Sequence, residues 1–396
     1  MSPGRIAALT ASLLAMLAAG LWVGGHPARM PPFLRDVFVD DSGGLTVEAT
    51  ELIEDNYYRP VSGQELSDGS LQGMVRELRR RNHDRFSDYF SADRLQRFNE
   101  EIAGRFSGIG IAVTPVPRGL RAAHVFKRSP AERAGIQVGD VIVSVGGRPI
   151  GDLSTEASTA LIKGPEGTEV TLGVVSPPGR SARPVKLTRE EISVPVVSSR
   201  VLSVDSEKLG YVRLSTFSEG AHAYLRRGVE KVERKGARGL VLDLRSNGGG
   251  LLQEAVLCAS IFLPEGEVVV TTDSRSQGHA VYQTQGGNLP PRPIVVLIDG
   301  NTASAAEILT AALADDAGAG VVGEQSYGKG VFQQEIGLSN GGALKLTVGE
   351  YFTPDGVNLA GNGIRPDVEA RDLPGTARDE ALDRALRVLA SQREQG

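Results

Sequence analysis

The chain has 396 residues, a net charge of -5 and a single cysteine. That length calls for about two or three domains. The charge excludes a basic nucleic-acid footprint, and the lone Cys258 excludes an internal disulfide. Five histidines are scattered along the chain, so no metal-ligand cluster forms, and neither metal nor cofactor is expected. Cys258 lies in the apolar stretch Leu251 to Leu263 and is read as a small buried hydrophobe.

Arg5 precedes an uncharged run from Ile6 to Val23, rich in Ala and Leu. The run suits a transmembrane helix of about 20 residues and also a signal-peptide core. Residues 1–25 are therefore a membrane anchor or a signal peptide, with a single-pass anchor favoured. Positive charge keeps the short end cytoplasmic, and everything after Gly24 then lies outside. The alternative is a secreted or periplasmic protein after signal cleavage.

Residues 26–44 read as a Pro-containing tether. Residues 45–105 read as helical, with Val47, Leu52 and Ile53, then Leu71, Met74, Val75 and Leu78, at helical spacing. This block carries no visible chemistry and is expected to cap the molecule or to form a homodimer contact. Residues 106–190 change to short strands opened by glycines, with helical spacing from Ser154 to Ile162. Residues 191–376 alternate strand and helix: strands at Leu209–Leu214, Gly239–Leu244 and Ile294–Ile298, helices at Ala221–Lys235, Leu251–Phe262 and Ala303–Leu313. That alternation predicts an α/β core with parallel pairing. Residues 377–396 close the chain with an amphipathic helix.

Two residues in the core attract chemistry. Ser304 sits in Asn301-Thr302-Ala303-Ser304-Ala305-Ala306-Glu307, directly after an apolar strand, where a turn presents its oxygen to a cleft. Lys329 sits between glycines in Ser326-Tyr327-Gly328-Lys329-Gly330, where its backbone can approach another closely. A serine and a neutral lysine suffice for acyl transfer. Taken singly, Ser304 reads as a helix N-cap, with Glu307 completing a capping box, and Lys329 as a solvated turn residue. His83, His124, His222 and His279 are spread across domains, so a Ser-His-Asp triad is the weaker reading.

The small domain resembles a PDZ domain. The matching residues are Gly108-Ile109-Gly110-Ile111, then Ser129-Pro130-Ala131-Glu132-Arg133-Ala134-Gly135-Ile136 and Gly139-Asp140-Val141-Ile142. Backbone amides among closely spaced glycines form a nest for a carboxylate, and an extended peptide adds as a strand beside Ile109 and Ile111. Gly108, Ile109, Gly110 and Ile111 are thus the candidate peptide-binding residues.

From about 45 to 370 the chain resembles the carboxyl-terminal processing peptidases, PDZ-containing tail-specific proteases of peptidase family S41. The resemblance rests on Leu242-Asp243-Leu244-Arg245-Ser246-Asn247-Gly248-Gly249-Gly250, on Ala303-Ser304-Ala305-Ala306-Glu307, and on Tyr327-Gly328-Lys329-Gly330-Val331-Phe332-Gln333. Leu346-Thr347-Val348, Tyr351-Phe352-Thr353-Pro354-Asp355-Gly356 and Gly363-Ile364-Arg365-Pro366-Asp367-Val368 follow in the family's order. It implies a helical N-terminal block, a PDZ domain and a crotonase- or ClpP-like α/β protease core. It further implies Ser304 as nucleophile, Lys329 as base and Gln333 as the residue orienting that lysine. Ala305 and a loop glycine, Gly249 or Gly250, would complete an oxyanion hole. The chain departs from the family at Gly248, where proline is common. Asp243, Arg245 and Asn247 are read as loop-fixing groups, Tyr327 and Glu307 as supporting ones. The expected substrates are proteins or peptides with exposed C-termini, with an adaptor protein as a further partner. A peptide binder without proteolysis and an acyl-thioester hydrolase are the rival readings.

Overall fold

The computed structural model describes residues 41–396 apart from 180, 205–206, 374, 377 and 396, in two units. The run Ile6–Val23 lies outside the described residues. No helix among the described residues is long and apolar enough to cross a membrane.

The first unit joins the described residues through Ala92 to Glu335–Leu346. It contains α1 (Asp41–Asn56) and α2 (Gly63–Asn82). Helix α2 stops at His83, whose left-handed backbone lets its N–H return to the Arg79 carbonyl. Strand β1 (Asp88–Phe90) follows and pairs antiparallel with Ala343–Lys345. Local spacing predicts only helix over 45–105. The strand differs because its partner lies far along the chain, where no local periodicity registers it. Tyr89 hydrogen-bonds Asp68 at 2.6 Å and Asn340 at 2.9 Å, tying helix, strand and distant turn together.

The second unit opens with α3 (Ala92–Ala103) and β2 (Arg105–Gly108). The small domain then runs through β3 (Ile111–Val116), β4 (Gly119–Val125), α4 (Pro130–Arg133), β5 (Val141–Val145), β6 (Arg148–Pro149), α5 (Thr155–Ile162), β7 (Glu169–Val175) and β8 (Arg183–Thr188). Its sheet has the order β3-β4-β5-β7-β8, with β6 on β5. Alternate residues point inward, as a pleated strand requires; Val170, Leu172 and Val174 of β7 are buried while Glu169 and Thr171 are exposed. Strand β9 (Glu190–Ser193) returns antiparallel to β2 and closes the domain.

The core is built from β10 (Val197–Val204), β11 (Glu207–Leu214), α6 (Ala221–Arg234), β12 (Leu240–Asp243), α7 (Leu252–Ala259), β13 (Val268–Ser274), β14 (Gly278–Gln283), β15 (Ile294–Ile298), α8 (Ala305–Ala317), β16 (Gly320–Gly323), β17 (Val331–Gly337), β18 (Ala343–Phe352), β19 (Val368–Glu369) and α9 (Glu380–Gln395). The main sheet has the order β10-β11-β12-β15-β16-β19 and is parallel from β11 onward. Its central strands are buried along their whole length, as parallel strands covered on both faces must be. Leu240, Leu242, Ile294 and Val296 face α6, α7 and α8. Val241, Val295 and Leu297 face Ala381, Leu382, Ala385, Leu386 and Leu389 of α9. Fully burying one such leucine contributes about 1.5–3 kcal/mol, so both helix layers are clamped by alternate side chains of the same strands. Cys258 is buried in α7, and burial, then Glu254, pushes its thiol well up.

Candidate active site

Parallel pairing sends the loops after β12, β15 and β16 to one edge of the sheet, because these strands are neighbours running the same way. Clefts in such sheets form at the carboxyl ends of the strands. The first loop carries Asn247 to Gly250, the second Ser304 and the third Lys329.

The loops are bonded to one another. Ala303 N–H donates to the Asn247 carbonyl at 3.0 Å, and Tyr327 N–H to the Thr302 carbonyl at 2.9 Å. The buried Thr302 hydroxyl reaches the Leu244 carbonyl at 2.9 Å. Ser246 donates to Asp299 through its amide and its hydroxyl. Burial alone would raise the Asp299 carboxyl, but the Ser246 and Asn301 amides, with the Ser246 and Thr302 hydroxyls, hold it below the usual carboxylate range.

Ser304 occupies the turn into α8 with φ 58° and ψ -121°. Such a left-handed backbone is strained for a residue with a side chain, and it thrusts the side chain out of the strand-to-helix turn. The N-cap reading holds only in part. Glu307 accepts the Ser304 N–H at 2.7 Å, and the Ser304 side chain meets the Glu307 amide in the reciprocal contact of a capping box, short of full hydrogen-bond geometry.

Glu307 does more than cap. It is fully buried, and its Oε2 also accepts the Lys329 N–H at 3.0 Å. Its Oε1 accepts the Ser326 hydroxyl at 2.5 Å and the Gly328 N–H at 2.7 Å. One carboxylate therefore holds the Ser304 and Lys329 backbones together. Gly328 supplies the close approach expected of the glycines beside Lys329, since a Cβ there would fall 2.9 Å from the Gly363 nitrogen. Ser304, Lys329 and Gln333 are all half-buried. On β17 the Gln333 amide nitrogen donates to the Thr347 hydroxyl at 3.2 Å, which gives the amide a direction.

Gly249 presses against the serine turn. A Cβ there would stand 2.8 Å from the Ser304 Cβ and 3.0 Å from the Ala305 nitrogen. Its own N–H, however, donates to Asn247 Oδ1 at 2.9 Å. Asn247 is itself fully buried, and its Nδ2 donates to the Leu214 carbonyl at 2.9 Å. Phe217 pairs with this loop through the Gly249 carbonyl and the Leu251 amide, using neither polar group of Gly250. Gly250 is exposed where Gly249 is buried. Arg245 bonds Asp243, Asp372 and Asp379; burial would lower its pKa, but Asp243 and Asp379 raise it. Tyr211 donates to Asp243 at 2.7 Å, and burial, then that carboxylate, push the phenol up to about 12. His222 is engaged with Glu254 at 2.8 Å.

In the small domain, Gly108, Ile109, Gly110 and Ile111 line a cavity of about 200 Å³ with Phe106, Val113, Thr159, Ile162 and Lys163. Strand β3 is the sheet's edge and α5 forms the facing wall. The Ile109 side chain is buried in the domain core, and the Ile109 and Gly110 carbonyls accept from Ala131 and Phe126. Two carbonyls of this turn are thus engaged inside the domain. The sequence reading gave no part to Tyr351, Thr347 or Asp299. Only the motifs containing Thr347 and Tyr351 marked their places.

Residues 208–370 match the model of Peptidase family S41, and residues 123–176 match that of a PDZ domain. The carboxy-terminal processing protease CtpA of Bacillus subtilis is 32% identical over 336 residues, covering 85% of this chain and 70% of that protein. A probable CtpA-like serine protease of Staphylococcus aureus is 36% identical over 321 residues. The match covers 80% of this chain but 62% of the staphylococcal protein, so the chain spans less than two thirds of that relative. Among solved structures, a photosystem II D1 C-terminal processing protease aligns with a TM-score of 0.51 at 28% identity, over 89% of this chain and 98% of that one.

Proposed function

The chain belongs to peptidase family S41, a family of serine peptidases, and on that premise we propose that it is an endopeptidase with a Ser304-Lys329-Gln333 active site that processes the C-termini of protein substrates. The observation that carries this reading is the buried Glu307 carboxylate, which accepts the backbone amides of both Ser304 and Lys329 on one oxygen.

The chemistry follows from the groups. The Ser304 hydroxyl attacks a peptide carbonyl while its proton passes to the Lys329 amine, which must be neutral to accept it. The Gln333 carbonyl oxygen is the end of the amide suited to orient that amine, since the nitrogen end serves Thr347. The oxyanion is received by the Ala305 amide at the start of α8, where first-turn amides lack helical partners. Gly250 is favoured over Gly249 as the second donor, because the Gly249 amide already serves Asn247. Collapse of the intermediate breaks the C–N bond as the Lys329 ammonium returns its proton to the leaving amine, and the acyl-enzyme that remains is hydrolysed by a water whose proton the again neutral Lys329 takes.

The PDZ domain delivers the substrate. A C-terminal carboxylate binds the amides around Gly108 to Ile111, and the peptide adds to the open edge of β3. Residues 6–23 anchor the chain in a membrane, or export it, with the enzyme outside the cytoplasm. The helical first unit forms a homodimer contact through exposed residues such as Leu45, Leu52 and Tyr58, and an adaptor protein is a further partner.

The test incubates protein lacking residues 1–25 with an unfolded protein ending in Ala-Ala, with the same substrate amidated at its C-terminus, and with Ser304→Ala and Lys329→Ala variants. Cleavage by the parent alone, slowed by amidation, is expected. Equal cleavage by either variant sinks the assignment.

A further inference from the structure

Strand β18 turns one face toward the site. Thr347, Gly349 and Tyr351 share that face, since side chains alternate along a strand. Thr347 bonds Gln333. Gly349 leaves room for Phe332, whose ring carbon would lie 2.6 Å from a Cβ at that position. Tyr351 pairs with Thr272 of β13, and its N–H donates to the Gly330 carbonyl at 3.1 Å, one residue beyond Lys329.

The Tyr351 side chain is 2% exposed. Its hydroxyl is enclosed and meets no hydrogen-bond partner of good geometry among the described residues. Its neighbours are the Glu307 carboxylate and the Ser304 hydroxyl, the latter within hydrogen-bonding reach but short of full geometry. A buried hydroxyl left in this state costs about 1–3 kcal/mol, and phenylalanine would fill the same space without that cost. Such a group calls for a better-formed bond than its resting contact with Ser304 supplies.

We propose that the Tyr351 hydroxyl is a further catalytic group, donating a hydrogen bond to Ser304 Oγ when the serine turns to attack. This rests on the reading of Ser304 as nucleophile. During attack the Oγ–H bond breaks and its proton goes to the Lys329 amine. One Oγ electron pair forms the bond to the carbonyl carbon, and the carbonyl π pair moves to the oxyanion. The second Oγ pair accepts from Tyr351, which keeps its own proton throughout. Burial, then the nearby Glu307 charge, raise the phenol's pKa and support that retention. The donated bond strengthens as negative charge develops on Oγ. It acts again when Oγ leaves the acyl-enzyme.

The experiment compares the full chain with its Tyr351→Phe and Ser304→Ala variants. It measures cleavage of an unfolded protein ending in Ala-Ala, thermal stability, and the rate at which a small fluorophosphonate labels Ser304. The expected result for Tyr351→Phe is a kcat at least about tenfold lower, the equivalent of one modest hydrogen bond made in the transition state. Labelling should slow by a similar factor, with Tm unchanged or raised. Parent-like kcat and labelling overturn the proposal, as does a change confined to KM. A fully active Ser304→Ala would instead remove the premise that Ser304 is the nucleophile.

Discussion

Ser304 stores strain in its backbone, and its neighbours pay for it. Its left-handed φ of 58° costs about 1–3 kcal/mol, and the turn keeps it through the Glu307 bond to its amide and the Ile308 bond to its carbonyl. Gly249 completes the clamp, at φ 97° and packed against the serine. Gly248 has open space where a Cβ would go and no left-handed φ. Gly249→Ala should therefore lower kcat/KM at least tenfold, a transition-state loss of about 1.4 kcal/mol. Gly248→Ala should stay within about twofold, since it adds no clash and removes some unfolded-chain freedom. Side-by-side peptide cleavage assays check the contrast, and equal losses would mean that the loop tolerates no side chain anywhere.

At the scale of elements, α9 is fastened by packing along one face and by charge at its start. Asp379 receives two Arg245 bonds at 2.9 Å and the Leu382 amide at 2.9 Å. Burial would raise its carboxyl, but Arg245 and the Leu382 amide hold it below the usual carboxylate range. A depressed folded pKa contributes stability that is present above the unfolded value and lost as pH falls through the folded one. Asp379 is 40% exposed, so solvent screening limits the effect to about 1 kcal/mol. Asp379→Asn should lower Tm by a few degrees at pH 7 and make no difference in strong acid, as thermal melts at both pH values would reveal. Because Arg245 also binds Asp243 beneath the Asn247 loop, a loosened α9 is expected to reach the catalytic edge as well.

For the whole molecule, the neighbouring Asp315 and Asp316 have the opposite sign. Asp315 is exposed at the end of α8, yet partial burial, then Asp355 and Asp316, push its carboxyl up from 3.8 to about 6. The folded chain then binds more protons than the unfolded one between those values, so stability falls as pH rises through that window. Asp315→Asn should raise stability at pH 7.5 by less than about 1 kcal/mol after screening, seen as a higher Tm, and the gain should shrink near pH 4. A gain of equal size at both pH values would count against the repulsion and favour a packing effect.

Much of this molecule is written locally. The apolar run Ile294 to Ile298 specified β15, the spacing from Ala221 specified α6, and the glycines flanking Lys329 announced a close backbone approach, because dihedral preference and side-chain period act between near neighbours. Strands β1, β10, β13, β14 and β17 were not legible, since a strand depends on a partner that can lie hundreds of residues away, as Phe90 and Ala343 do. The motifs marked Ser304 and Lys329 but could not show what joins them. That took the parallel order of β12, β15 and β16, which brings three loops to one edge. It also took Glu307, whose four bonds run to groups as distant in sequence as Lys329. The sequence by itself determined many of the elements, the family and the candidate reactive side chains. Only the tertiary structure decided that Glu307 binds the serine turn to the lysine loop, that the Gly249 amide serves Asn247, and that the Tyr351 hydroxyl lies enclosed beside the serine, because burial and hydrogen-bond partnership are properties of the packed chain.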